Sequence, residues 1–293
     1  MAGTEFQYPA LYDTAGKLSA TSQSLFLNLI RAEYGALLLA AIFSMDLSKK
    51  PLFFAAYALI FIISLGVLVS RNWLKPEQGW YRGRALAESI KTSCWRYCMR
   101  AEPFDDAINV AVPRAEFRNH LLAILKANRH IGDKMPPDTA ARDQITDTME
   151  ATRALSLDER KAFYDAHRIR EQREWYALKA GTNRRTSFRW VVFGISVYVI
   201  AIILVLLRIA FPTRELWPIE PFIVIASSIV GWTQVKKFNE LASSYTLTAH
   251  EIGIIQGVIG EIDSEAAFSA FVNDAEQAFS REHTQWVARQ QAQ

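Results

Sequence analysis

PLFFAAYALIFIISLGVLVS, residues 51–70, is a run of twenty residues without an Asp, Glu, Lys or Arg. At 1.5 Å rise per residue, a helix of that length covers about 30 Å, the thickness of a bilayer's hydrocarbon core. A second run, Trp190 to Leu207, has eighteen residues and again no charge. A weaker apolar stretch stands beside each. Before the first, Tyr34 to Met45 is apolar for twelve residues and reaches crossing length only by taking in Asn28, Arg31 and Glu33, so Arg31 must snorkel to the interface. After the second, Trp217 to Val235 carries one acid, Glu220, near its start between Pro218 and Pro221. Buried helices of a soluble core do not account for two such pairs, each joined by so short a link. The pattern therefore reads as an all-α membrane protein with four transmembrane helices in two hairpins, spanning about 27–46, 51–70, 190–207 and 217–235.

The rest of the composition narrows the class. The formal charge is +3 over 293 residues, too small for a broadly basic nucleic-acid binder. Cys94 and Cys98 are the only cysteines. Four apart on one predicted helix, they are too few and too close for a disulfide framework and read as cytosolic thiols. Residues 1–20 include Glu5, Asp13 and Lys17 and lack an apolar core with a cleavage site, so no cleaved signal peptide is expected. Lysine and arginine set the orientation. The terminal and central flanks carry Lys17, Arg31, Arg71, Lys75, Arg82, Arg84, Arg170, Arg173, Lys179, Arg184, Arg185, Arg189, Lys236 and Lys237, whereas the two hairpin links offer only Lys49, Lys50, Arg208 and Arg214. Both termini and the central region are expected in the cytoplasm.

Two juxtamembrane helices follow from spacing. On the helix predicted over 76–101, Trp80, Arg84, Glu88, Lys91, Trp95 and Cys98 share a face, and Glu88 stands i,i+4 from Arg84 and i,i+3 from Lys91. A solvated charge face is the plain alternative, but two tryptophans in register with the charges favour helix packing. On the helix predicted over 156–189, Ser156 with Glu159 forms a capping box, and Arg168, Gln172, Trp175, Lys179 and Asn183 share a face. Phe238 to Ile262 is apolar and periodic, and a helix from Ser264 to about Gln290 sets Phe268, Phe271, Ala275 and Phe279 along one side. These elements, through 236–290, are expected to form a cytoplasmic helical bundle.

The stretch Trp80-Tyr81-Arg82-Gly83-Arg84-Ala85-Leu86-Ala87-Glu88-Ser89-Ile90-Lys91-Thr92, with Trp95-Arg96-Tyr97 and Arg100-Ala101-Glu102-Pro103-Phe104, closely resembles one branch of the SLATT family. These are two-span effector domains associated with bacterial nucleotide-second-messenger synthases and nucleotide-sensing domains. Arg168-Ile169-Arg170-Glu171-Gln172 with Trp175-Tyr176-Ala177-Leu178-Lys179-Ala180 and Asn183 resembles a second branch. The two units divide the chain into 1–128, a linker over 129–152 that includes Met135-Pro136-Pro137-Asp138, and 153–293. The resemblance implies a bacterial inner-membrane protein that assembles as a homo-oligomer and forms pores or disrupts the membrane in antiphage or inter-strain conflict. Family members often stand beside a domain that makes or senses a nucleotide. Residues 105–152 are too few to hold one, so sensing falls to a separate protein or to the bundle itself.

A helical pore needs a polar or small stripe on one spanning helix. Glu220, Ser227, Gly231 and Gln234, at offsets of seven, four and three, supply one, and a ring of such glutamates favours cations. Close helix packing at Ser227 and Gly231, with Glu220 in the headgroup layer, is the preferred reading of the same residues. Nothing points to catalysis, a cofactor or a metal: His120, His130, His167, His250 and His283 lack ligand spacing, and no phosphate loop or nucleophile elbow occurs. A membrane-anchored interaction scaffold without its own pore is the rival to the effector.

Overall fold

Nothing in residues 10–43 breaks a helix, since the stretch contains no proline, and α1 accordingly runs uninterrupted over Ala10–Phe43. Pro51 opens α2, Pro51–Leu74, at the position where a missing N–H costs nothing. A single residue, Lys75, in the left-handed conformation at φ 43°, separates α2 from α3, Pro76–Cys98. Then come α4, Ala111–Ala127, and α5, Asp147–Arg153, whose Thr146 hydroxyl accepts the Met149 amide at 3.3 Å. The capping box expected at Ser156 and Glu159 opens α6, Leu157–Tyr164. The helix predicted over 156–189 is not uniform, because a π-helical turn, Asp165–Arg170, intervenes before α7, Glu171–Ala210. α8, Ile219–Lys236, ends at Lys237 with φ 49°. α9, Phe238–Val258, and α10, Glu265–Gln291, complete the chain. This computed structural model describes residues 6–106, 109–137 and 140–291, among which there is no strand.

The chain folds into two units. Among the described residues, the first comprises 6–23, 77–177 and 246–291. Its core is made by Ile90, Trp95 and Tyr97 of α3, Phe117 of α4, Met149 of α5, Tyr164 of α6 and Phe268, Val272 and Phe279 of α10, all without solvent exposure. Phe6 stacks on Trp95 at 5.0 Å between centroids, and the Trp95 indole N–H donates to the Tyr8 hydroxyl at 3.1 Å. Within this unit α1 meets α3 closely at Gly79 and Gly83, where added Cβ atoms would lie 2.7 Å from Ser22 Oγ and 2.8 Å from the Ser19 backbone nitrogen.

Two arginines finish the end of α3 and a third finishes the end of α5. Arg160 donates to the Met99 carbonyl at 2.8 Å, Arg153 donates to the Tyr97 carbonyl, and Arg100 Nε donates to the Arg153 carbonyl at 3.0 Å. Cations at a helix C-terminus satisfy carbonyls that lack an intrahelical partner and oppose the negative end of the dipole. The segment 129–152, expected as a linker, is tied into this unit. The Ala10 amide donates to the Asp143 carbonyl at 3.1 Å, Arg142 pairs with Asp13 at 2.6 Å, and Thr146 donates to the Gln7 carbonyl at 2.8 Å. Asp138, quoted with that linker, lies outside the described residues.

The second unit comprises 24–76 and 178–245. It is apolar outward, and α2 has no buried residue at all. Val197, Ala226 and Ile229 form a small core between α7 and α8, with Trp190, Phe222 and Ile225 against it. Glu33, a liability in the first predicted span, pairs with Arg71 at 2.9 Å, so two opposite charges replace two isolated ones. Among the described residues, three helical stretches are long and apolar enough to cross a membrane, within Ala10–Phe43, Pro51–Cys98 and Leu157–Ala210. α8 is not among them. It is eighteen residues long and carries Glu220 in its first turn and Lys236 in its last.

Gly83 supplies the first test. Its Cβ would press on backbone, which does not yield as a side chain does, so Gly83→Ala is expected to destabilise the chain by about 1–3 kcal/mol. Gly16→Ala meets nothing within 4 Å and is expected to be neutral or stabilising by up to about 1 kcal/mol. Thermal unfolding of both variants in detergent measures the contrast.

Candidate functional site

The motif residues converge inside the first unit on a buried ion network. Arg168 lies in the π-helical turn and is 1% exposed, and Glu276 of α10 is fully buried. Their contact is bidentate, with Arg168 Nε donating to Oε1 at 2.8 Å and Nη2 to Oε2 at 2.7 Å. Tyr164 donates its hydroxyl to the same carboxylate at 2.9 Å. Arg168 also reaches Gln172 Oε1 at 3.3 Å and Glu88 Oε1 of α3 at 3.5 Å, and its guanidinium sits 4.9 Å from the Phe279 ring centroid. Two carboxylates, a phenol, an amide and an aromatic face thus surround one cation.

Burial governs the electrostatics. Desolvation works against the Arg168 charge, but Glu276 outweighs it and holds the guanidinium above its ordinary range. Burial, with the Glu276 carboxylate adding to it, pushes the Tyr164 phenol well up, so it stays a donor. Burial, then the nearby Arg168 charge, lowers Lys91, whose ammonium lies 5.8 Å from the Tyr8 ring centroid. Cys94 and Cys98 are buried beside this network, and burial raises the Cys94 thiol well above its usual value. A neutral, enclosed thiol is a packing group. The network is an arrangement of fixed, mutually satisfied charges, suited to holding α3, the π-helical turn and α10 together. Among the described residues no group of three His, Cys, Asp or Glu side chains could hold a metal ion.

The expected faces are redistributed. Glu88 of the first motif meets Arg168 of the second and Lys91 feels the Arg168 charge, while Trp95 packs against Phe6 and Tyr164. Trp80 and Tyr81 stack on each other at 4.7 Å, the Trp80 carbonyl accepts from Ser19 Oγ at 3.1 Å, and Arg84 is half-buried. The face drawn through Arg168, Gln172, Trp175, Lys179 and Asn183 does not stay intact. Trp175 and Lys179 are exposed while Tyr176 is fully buried and Ala180 nearly so. The π-helical turn is the reason, because its extra residue shifts the phase between Arg168 and the residues of α7.

Helical spacing does not single out Glu276 or Tyr164, although one signal is present for Glu276. It lies on the apolar side carrying Phe268, Ala275 and Phe279, where a carboxylate needs a buried partner. Arg153 and Arg160 give no periodic signal, since their partners are mainly backbone carbonyls.

In the second unit the stripe on α8 divides. Glu220, Ser227 and Gln234 are exposed, whereas Gly231 is half-buried and a Cβ there would collide with the Tyr34 hydroxyl of α1. Gly231 is thus a contact point between helices.

Residues 9–161 match the SMODS and SLOG-associating 2TM effector domain 3, and residues 164–286 match the SMODS and SLOG-associating 2TM effector domain 1. The chain belongs to the SLATT family and carries two of its domains, from different branches, in tandem. A comparison with curated proteins found no match, and a comparison with solved structures found none either.

The buried pair makes a quantitative expectation. Removing one partner, as in Arg168→Met or Glu276→Leu, strands a buried charge and should cost about 3–5 kcal/mol. The double variant should recover most of that loss. A double-mutant cycle by chemical denaturation checks the sign and size of the coupling.

Proposed function

We propose that this chain is a bacterial inner-membrane effector that acts without catalysis. It assembles as a homo-oligomer and opens the membrane to ions in antiphage or inter-strain conflict. The trigger is a nucleotide signal or a separate nucleotide-making or nucleotide-sensing protein. In this reading α8 completes a fourth span, both termini and the central region face the cytoplasm, and the first unit is the cytoplasmic bundle.

The observation that carries the reading is α2. A 24-residue helix with none of its residues buried exposes Leu52 at 80% and Ile62 at 64%. Apolar surface on that scale is stable only against lipid or further protein. Two effector domains in one chain supply two such hairpins, and the excess of lysine and arginine on the proposed cytoplasmic flanks supports the orientation. One observation favours the rival scaffold. Gly231 is covered by Tyr34, which leaves the stripe only its exposed members, Glu220, Ser227 and Gln234.

Those members define the test. Induced expression in bacteria with a potential-sensitive dye should give rapid depolarisation, and Ser227→Leu with Gln234→Leu should abolish it at unchanged membrane level and assembly. Gly231→Leu is a poor choice, because the Tyr34 collision would report packing instead. Glu220→Gln should weaken cation preference in vesicles. If the purified chain, alone or with its neighbouring gene products, never changes vesicle permeability, the pore reading fails and the scaffold stands.

A further inference from the structure

Within the second unit, α1, α7 and α8 enclose a groove of about 510 Å³, lined by Arg31, Gly35, Leu38, Trp190, Ile225 and Trp232 among others. Its two ends differ chemically. At one end the Arg31 guanidinium lies 5.3 Å from the Trp232 ring centroid, and Lys236, which is outside the lining itself, holds its ammonium 5.9 Å from the same ring. Arg31 donates to the neutral amide oxygen of Asn28 at 2.7 Å. Among the described residues neither cation has an ion-pair partner, and Glu33 is taken by Arg71. Two like charges therefore share one indole without a counter-ion, which cation–π attraction alone compensates poorly.

The other end is apolar. Leu38 stands seven residues beyond Arg31 on α1, and Ile225 stands seven before Trp232 on α8. Seven residues of helix span about 10 Å, so the groove runs about that far from its cations to its hydrocarbon wall. Gly35 leaves the middle open, since a Cβ there meets nothing within 4 Å. Trp190 and Trp232 at the cationic end are the residue type that sits at headgroup level.

We propose that this groove binds one anionic phospholipid of the surrounding bilayer. Its phosphate sits between Arg31 and Lys236, and one acyl chain lies along Leu38 and Ile225. A free phosphate ion would answer only the charges and leave the apolar wall unfilled. A neutral lipid would fill the wall and leave the two cations uncompensated. The proposal rests on the membrane reading above, but not on the presence of a pore.

The test is native mass spectrometry of the full chain, released from detergent after titration with dioleoyl phosphatidylglycerol or dioleoyl phosphatidylcholine. The wild type should retain phosphatidylglycerol about tenfold better or more, as two cations at a lipid surface imply. Arg31→Gln with Lys236→Gln should bring the anionic lipid down to the level of the neutral one. Gly35→Leu, placed in open space on a helix that tolerates it, should reduce retention of both by filling the groove. Equal retention of the two lipids by the wild type, an unaffected Gly35→Leu variant, or displacement of phosphatidylglycerol by millimolar inorganic phosphate would each overturn the proposal. Failure of the membrane reading has its own signature, the chain appearing in the soluble fraction of lysed cells without detergent.

Discussion

A guanidinium that is 1% exposed cannot be left unpaired, and the first unit is arranged around that requirement at Arg168. Its bidentate contact with Glu276 and its approach to Glu88 bring together residues 88, 168 and 276. No run of neighbouring residues could do this, so the pair specifies which helices meet. Apolar packing alone tolerates sliding and rotation. A buried carboxylate that must find one guanidinium tolerates neither, and the Tyr164 hydroxyl on the same carboxylate narrows the choice further. The three arginines at the ends of α3 and α5 repeat the principle with backbone as the acceptor. Their carbonyl partners, Tyr97, Met99 and Arg153, stand where α3 stops and where α5 gives way to α6.

The two units spend their apolar residues in opposite directions. The first closes Ile90, Trp95, Phe117, Phe268 and Phe279 away from solvent, together with the paired charges of Arg168 and Glu276. The second turns Leu52, Ile62, Ile195 and Leu206 outward, and within it Glu33 is paired with Arg71 while Arg31 and Lys236 lie against the Trp232 ring. Glu33 with Arg71, and Arg31 on Trp232, show how a helix containing charges is made compatible with an apolar setting. Helix contact in the second unit relies instead on close fit, with Gly231 accommodating Tyr34.

Much of this architecture is legible in the sequence because uncharged runs and helical spacing are local properties. The runs at 51–70 and 190–207 lie within α2 and α7, the Ser156–Glu159 cap is present as spelled, and the family motifs do contribute to one network. The illegible part depends on contacts distant in sequence or on broken phase. Spacing along α3 matches Glu88 with its near neighbours Arg84 and Lys91, while its contact with Arg168 crosses eighty positions. Glu276 can be noticed as a charge on an apolar side, but its partner cannot be named. Residues 129–152 read as a linker because of the Met135-Pro136-Pro137-Asp138 stretch, and their attachment runs through backbone acceptors such as Gln7 and Asp143. Unbroken α-helical spacing misplaces Trp175 and Lys179 because it is carried across a turn that is not α-helical.

That π-helical turn, Asp165–Arg170, amounts to one residue more than an α-helix needs. Each residue of an α-helix advances the chain by about 100° around the axis. Deleting a single residue there would restore a seamless helix and leave every other side chain chemically unchanged. The widened turn takes up that residue, so Gln172 and Tyr176 would keep their places relative to α6, and what would be lost is the broadened backbone in which Arg168 sits. The turn therefore lets the chain carry one residue more without turning everything after it by about 100°.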